Sequence, residues 1–137
     1  MLIQPLTTAN MQCLDRLAPE VFDNAIDQVQ LGRFLGDPRH VMLVAIEDGL
    51  VVGMASGVEY FHPDMPPQMW INEVVVSPAC QRRGIGRALT TALVEVASLR
   101  AGLPDQLQIR GPGCVTLRTG CSSRVRSRPS ACRLAAR

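Results

Sequence analysis

The sequence predicts an α/β fold in which a mixed central sheet is flanked by helices, and three observations predict it. An apolar run of strand character, Val74-Val75-Val76, stops at Ser77-Pro78. A turn with two closely spaced glycines, Gln81-Arg82-Arg83-Gly84-Ile85-Gly86, follows at once and opens a helix-patterned segment over 87–99. Upstream, two apolar runs are separated by Asp48-Gly49, a dipeptide suited to a tight hairpin.

From the N-terminus, MLIQPLT reads as a short first strand. Thr7 or Thr8 caps a helix over roughly 9–18, in which Met11, Leu14 and Leu17 share one face. Phe22, Ile26, Val29, Phe34 and Leu35 continue helical spacing to about residue 35, where Gly36-Asp37-Pro38 ends it. His40–Ile46 and Leu50–Phe61 are the hairpin strands. Gly53, Ala55 and Gly57 keep one face of the second strand flat, so another element packs closely there. His62–Gln68, with Pro63, Pro66 and Pro67, reads as a loop, and Met69–Val76 as the central strand. The helix over 87–99 turns Leu89, Leu93, Val96, Ala97 and Leu99 to the sheet.

Composition bounds the function. A chain of 137 residues with 47% hydrophobic content is one domain with ample core. No run reaches the length of a membrane span and no signal-peptide pattern opens the chain, so the expected setting is cytoplasmic, with no membrane partner. Five cysteines (13, 80, 114, 121, 132) form no Cys-x-x-Cys pair and the two histidines stand apart, which argues against a metal site. The net charge of +2 hides an asymmetry. Residues 1–100 carry 11 acids against 7 arginines, a net of −4, whereas residues 101–137 carry only Asp105 against 7 arginines, a net of +6. An acidic body suits a cationic substrate.

A strand, a glycine-bearing turn and a helix start make an anion cradle. The glycines let main-chain N–H groups crowd around a phosphate, and the helix start adds unpaired donors and the positive dipole end. A Walker loop requires Gly-Lys-Ser/Thr, and the chain contains no lysine. A dinucleotide fingerprint requires a third glycine where Leu89 stands.

Gln/Arg-x-x-Gly-x-Gly after Val-Val-Val-Ser-Pro and before Arg-Ala-Leu resembles the acetyl-CoA pyrophosphate loop of the GNAT superfamily of N-acetyltransferases, over about residues 1–100. Within that superfamily, Val51-Val52-Gly53, the proline-bearing Pro63–Pro67 segment and Glu73 are most similar to the aminoglycoside 3-N-acetyltransferases. The resemblance implies acetyl-CoA as co-substrate and a small-molecule amine as acceptor. It implies that the pantetheine arm lies along Val74, Val75 and Val76, with the Val74 N–H as oxyanion donor, and that Glu73 is the catalytic base or anchor for an ammonium. The pyrophosphate is expected on the main chain of Arg82, Arg83, Gly84, Ile85, Gly86, Arg87 and Ala88, with the three arginines adding charge. Glu59, Asp64, Asp23 and Asp27 are further acids for the acceptor face. The superfamily often protonates the thiolate with a tyrosine of its fourth helix, but the only tyrosine here, Tyr60, precedes the phosphate loop.

The chain divides into a 1–102 core and a 103–137 tail of different texture. The tail is rich in Arg, Ser, Cys and Pro, has no aromatic residue and offers only Leu107–Arg110 and Cys114–Leu117 as further strands. It is expected to be irregular or disordered, of the kind a shifted reading frame yields. The alternative function is then a truncated, non-catalytic CoA-binding or partner-binding remnant. A nucleic-acid role is not expected, since nothing aromatic interleaves the arginines. A poorly covered strand edge leaves room for pairing with a second copy as a homodimer.

Overall fold

Four strands pair in the order β1-β2-β3-β4, and every pairing is antiparallel. The computed structural model describes residues 1–101. The expectations for the tail, including strands at 107–110 and 114–117, lie outside the described residues, and within them the sheet expected to be mixed is wholly antiparallel. The order is β1 (Leu2–Pro5), a 3-10 turn (Met11–Asp15), α1 (Gln28–Gly36), β2 (His40–Glu47), β3 (Leu50–His62), β4 (Met65–Val76), a second 3-10 turn (Pro78–Cys80) and α2 (Ile85–Ala101).

Strand alternation decides which layer each residue joins. On one face Leu43, Ala55 and Val74 form a cross-strand row, beside the row Ala45, Gly53 and Val76. These rows receive α2, whose Ile85, Leu89, Leu93 and Ala97 recur every four residues and are all buried. A side chain at Gly53 would place its Cβ 2.8 Å from the Val75 carbonyl oxygen and 3.3 Å from Leu89 Cδ1, so the flat face is the seat of α2. Burial of side chains such as Leu43, Leu89 and Leu93 contributes roughly 1.5–3 kcal/mol each. Leu99, expected on this face, is 83% exposed; two residues beyond Ala97 it has turned about 200° around the helix.

The opposite face carries the row Met42, Ser56 and Glu73. It is covered by the segment between β1 and β2, tied down where the Val51 N–H donates to the Arg16 carbonyl (2.9 Å) and the Ala18 N–H to the Val51 carbonyl (2.9 Å). Here helix is scarcer than the apolar spacing suggests. The expected helix over 9–18 is only the 3-10 turn Met11–Asp15, and the expected helix over 22–35 begins at Gln28. Asp27 sets that start: its Oδ1 accepts from the N–H groups of Val29 (2.8 Å) and Gln30 (3.0 Å), two donors the first turn leaves orphaned. Phe22 and Ile26 still pack against the core, without a helix to space them.

The hairpins hold the remaining differences. Asp48 (φ 50°) and Gly49 (φ 72°) make the expected two-residue turn between β2 and β3. The expected loop over 62–68 is instead a tight turn at Pro63-Asp64, since His62 already pairs with Met65 and Tyr60 with Gln68. The two prolines at 66 and 67 are tolerated because β4 is the outer strand of the described sheet, where its ladder has a partner on one side only. Ser56 pairs with Glu73 but Gly57 with Ile71, so Asn72 is an extra residue, a bulge in β4.

Candidate functional site

The turn after β4 is built by its own main chain. Ser77, almost fully buried, donates its N–H to the Val52 carbonyl (2.9 Å), fixing the end of β4 against β3. The Cys80 N–H donates back to Ser77 (2.8 Å), and Gln81 Nε2 reaches the Val76 carbonyl (3.0 Å). Two left-handed residues follow, Arg82 (φ 61°) and Gly84 (φ 82°). Such reversals turn successive N–H groups toward a common point, and α2 opens directly after them with the Ala88 N–H bonding the Gly84 carbonyl (3.0 Å). By helical geometry the N–H groups of Ile85, Gly86 and Arg87 have no preceding turn to bond.

Beside them lies a cleft of about 440 Å³, bounded by Val74 and Val76 of β4, Cys80 and Gln81, Arg82 and Gly84, and the first turn of α2 from Ile85 to Arg87. A Cβ at Gly86 would come within 3.7 Å of Val76 and 3.9 Å of Val74, so the bare backbone there leaves the cleft open between strand and helix. Phosphate fits this donor set, with two guanidinium groups at the rim.

On the other side of the sheet is a pocket of about 310 Å³. Glu73 and Met42 form its floor, α1 contributes Gln30, Leu31 and Phe34, and Phe22 through Asp27 close it with Leu14. Three carboxylates, Asp23, Asp27 and Glu73, thus converge on one apolar cavity. Asp27 is already engaged as the cap of α1. Consecutive residues of β4, Glu73 and Val74, therefore open onto different cavities, as alternation along the strand requires.

Not all expected residues assemble. Val75 pairs with Met54 on the face away from the cleft, and Ala88 is not part of the cleft wall. Arg83 turns from the loop to Glu47, with Nη2 2.9 Å from Oε1, and this hydrogen bond raises the Arg83 pKa above its ordinary value. Glu59 and Asp64 lie along the β3–β4 hairpin, outside the acidic pocket. Tyr60 pairs with Gln68, about 24 Å along β3 from the end that meets Val76. Sequence reasoning missed Cys80 at the cleft and the α1 side of the pocket; the spacing of Asp27, Gln30, Leu31 and Phe34 on one helical face was the signal for the latter. Among the described residues no group of His, Cys, Asp and Glu is arranged to hold a metal ion, and no helix is long and apolar enough to cross a membrane.

The structure is similar to the aminoglycoside 6′-N-acetyltransferase of Acinetobacter haemolyticus (TM-score 0.62, 18% identity, covering 82% of this chain and 80% of that one). It is also similar to an aminoglycoside 6′-N-acetyltransferase solved with a bisubstrate analogue of CoA and acetylneamine (0.62, 16%, 92% and 98%). A third likeness is to the ribosomal-protein-alanine N-acetyltransferase of Brucella melitensis biovar Abortus 2308 (0.61, 19%, 82% and 81%). At these identities the likeness is one of fold. No curated protein matches the sequence. The acetyltransferase (GNAT) family model matches residues 7–110, most of the chain. With the strand, glycine turn and helix start in their places, this protein belongs to the GNAT family of acetyltransferases, which use acetyl-CoA.

Proposed function

We propose that the protein transfers an acetyl group from acetyl-CoA to an amine of a cationic small molecule, aminoglycosides being the first class to test. The observation that carries this is the division at Glu73-Val74, with a phosphate-compatible cleft on one side and a pocket of three carboxylates on the other. In this assignment the main chain from Arg82 to Arg87, with Gly84 and Gly86 at its centre, holds the pyrophosphate, and Arg82 and Arg87 neutralise phosphate charge. Val74, Val75 and Val76 present the strand along which pantetheine lies, and the Val74 N–H faces the developing oxyanion. Acetyl-CoA supplies the thioester.

Glu73, together with Asp23, attracts the ammonium form of the acceptor into the pocket. Glu73 then takes the proton that the amine must lose, directly or through one water, so that nitrogen can attack the carbonyl carbon. The thiolate that leaves takes up a proton in turn. The aminoglycoside enzymes among the structural neighbours support a polycationic acceptor, and the Brucella ribosomal-protein enzyme shows that the same fold serves a peptide amine. Acetylation at the 3-amino group follows the sequence resemblance, whereas the two aminoglycoside enzymes named above are 6′-N-acetyltransferases. Working on acetyl-CoA and a soluble amine suits a cytoplasmic setting, and the outer edge of β4 suits pairing with a second copy.

One observation favours a second role, a CoA-binding remnant without transfer: the only tyrosine, Tyr60, is remote from the cleft. Thiol release from acetyl-CoA by the full chain, measured across a panel of amines, decides between them. Amine-dependent release with an acetylated product, its position read by NMR, establishes the transferase. CoA binding by calorimetry without release on any amine establishes the remnant.

A further inference from the structure

The acidic pocket does not end at Glu73. Trp70 pairs with Val58 and Tyr60 with Gln68, and Val58 and Tyr60 alternate with Ser56, the partner of Glu73. The bulge at Asn72 therefore puts the indole, the phenol and Glu73 on one face, although Trp70 and Glu73 are three positions apart and strict alternation would part them. Trp70 is 40% exposed and Tyr60 43%, and the two rings meet edge to face with centroids 6.2 Å apart. Beyond Tyr60, the His62 ring is bound to the Asp64 carboxylate at the hairpin turn.

We infer that Trp70 and Tyr60 form a shelf that receives a second, ammonium-bearing ring of the acceptor, extending the Glu73 pocket along the β3–β4 hairpin. The inference rests on the amine-acetylation assignment above and gives it a substrate shape. Exposed aromatic faces attract ammonium groups within about 6 Å of the ring centroid, and the apolar faces of saturated rings lie well against them. Carboxylates stand at both ends, Glu73 and Asp23 in the pocket and Asp64 at the turn, so the strip complements a molecule with separated positive charges. From Ser56, the partner of Glu73, it is two residues of β3 to Val58, the partner of Trp70, roughly 7 Å, and four to Tyr60, roughly 14 Å. An acceptor whose amine meets Glu73 thus covers both rings of the shelf only if it is longer than a single ring.

Trp70 is the only tryptophan, which makes the emission of the full chain a direct probe of the shelf. Titration with sisomicin, a multi-ring polyamine, is expected to change the emission saturably, and single-ring glucosamine is expected to leave it unchanged. Tyr60→Leu should weaken sisomicin binding by about three- to ten-fold with acetyl-CoA affinity retained, and Trp70→Phe should keep most of the binding that Trp70→Leu loses. The inference is overturned if sisomicin does not bind, or binds by calorimetry without changing the emission. It is also overturned if a peptide with a free amino terminus produces the response and sisomicin does not, which would make the strip a peptide surface. Acetyl transfer to sisomicin and glucosamine with KM unchanged in Trp70→Leu would remove the shelf and leave the transferase. An emission response in the absence of any thiol release would keep the shelf and remove the transferase.

Discussion

The guanidinium of Arg83 faces Glu47 and not the cleft, with Nη2 2.9 Å from Oε1, so the glycine turn is tethered to the end of β2. The pair is partly exposed and solvent screening leaves it little weight in stability. Glu47→Gln is expected to lower Tm slightly and to tighten CoA binding, because the released guanidinium is then free to meet phosphate. Calorimetry checks it, and an unchanged or weaker CoA affinity would show that Arg83 serves only the tether.

Gly84 is required for its backbone angle. Its φ of 82° is left-handed, and an added Cβ would meet nothing within 4 Å. Gly84→Ala is expected to cost roughly 1–2 kcal/mol by urea denaturation and to weaken CoA binding, with Gly84→Asn costing less.

Gly53 is required for space. Its Cβ would press on the backbone oxygen of Val75, which cannot rotate aside as a side chain does. Gly53→Ala is expected to destabilise by about 1–3 kcal/mol through displacement of β4 or α2, and Leu89→Ala, emptying the same contact, by about 2–5 kcal/mol. An equal cost for Gly84→Ala and Gly53→Ala with no loss of near-UV signal in the latter would contradict the steric account.

Glu73→Gln preserves the shape of the pocket floor and removes its charge. The expected result is a fall in kcat of about 10²- to 10⁴-fold at neutral pH with CoA affinity retained. A variant that keeps its kcat and loses only KM would reduce Glu73 to an anchor for the ammonium.

Asp37 gives a pH signature at the end of α1. Hydrogen bonds from the Arg39 side chain, then from the Arg39 N–H, hold its carboxyl well below the usual carboxylate range. A carboxyl lowered by folding adds stability above its unfolded pKa, near 3.8, and loses it as pH falls through the folded value. Asp37→Asn is therefore expected to lower Tm at neutral pH, with the gap to the parent closing in acid below that point. A gap that widens in acid would contradict the assignment.

The strand, glycine turn and α2 were legible in the sequence because each is specified locally, by an apolar run, a proline stop, a left-handed glycine and a four-residue apolar repeat. The β2–β3 hairpin was legible for the same reason at Asp48-Gly49. What escaped depends on distant partners. Phe22 and Ile26 have helical spacing, yet they sit over the sheet in an irregular segment, and the local cue to the contrary was Asp27, a cap aimed forward. Pro66 and Pro67 suggested a loop, because one sequence does not reveal that β4 has an unpaired side in the described sheet. The turn of Arg83 toward Glu47 joins residues 36 positions apart and left no trace in either neighbourhood.

The bulge at Asn72 carries a consequence for how this gene tolerates change. Asn72 is exposed, and the register gives it no partner across the ladder. Substitutions there leave the register alone, and so would loss of that one codon, because Glu73 would stay opposite Ser56 and Ile71 opposite Gly57 in a ladder no longer interrupted. Trp70 would keep the side of Glu73, and Met69 its buried place on the side of α2. Position 72 is thus expected to tolerate deletion as well as replacement, and a library of single-residue deletions along β4 would show it as a permissive site among intolerant ones.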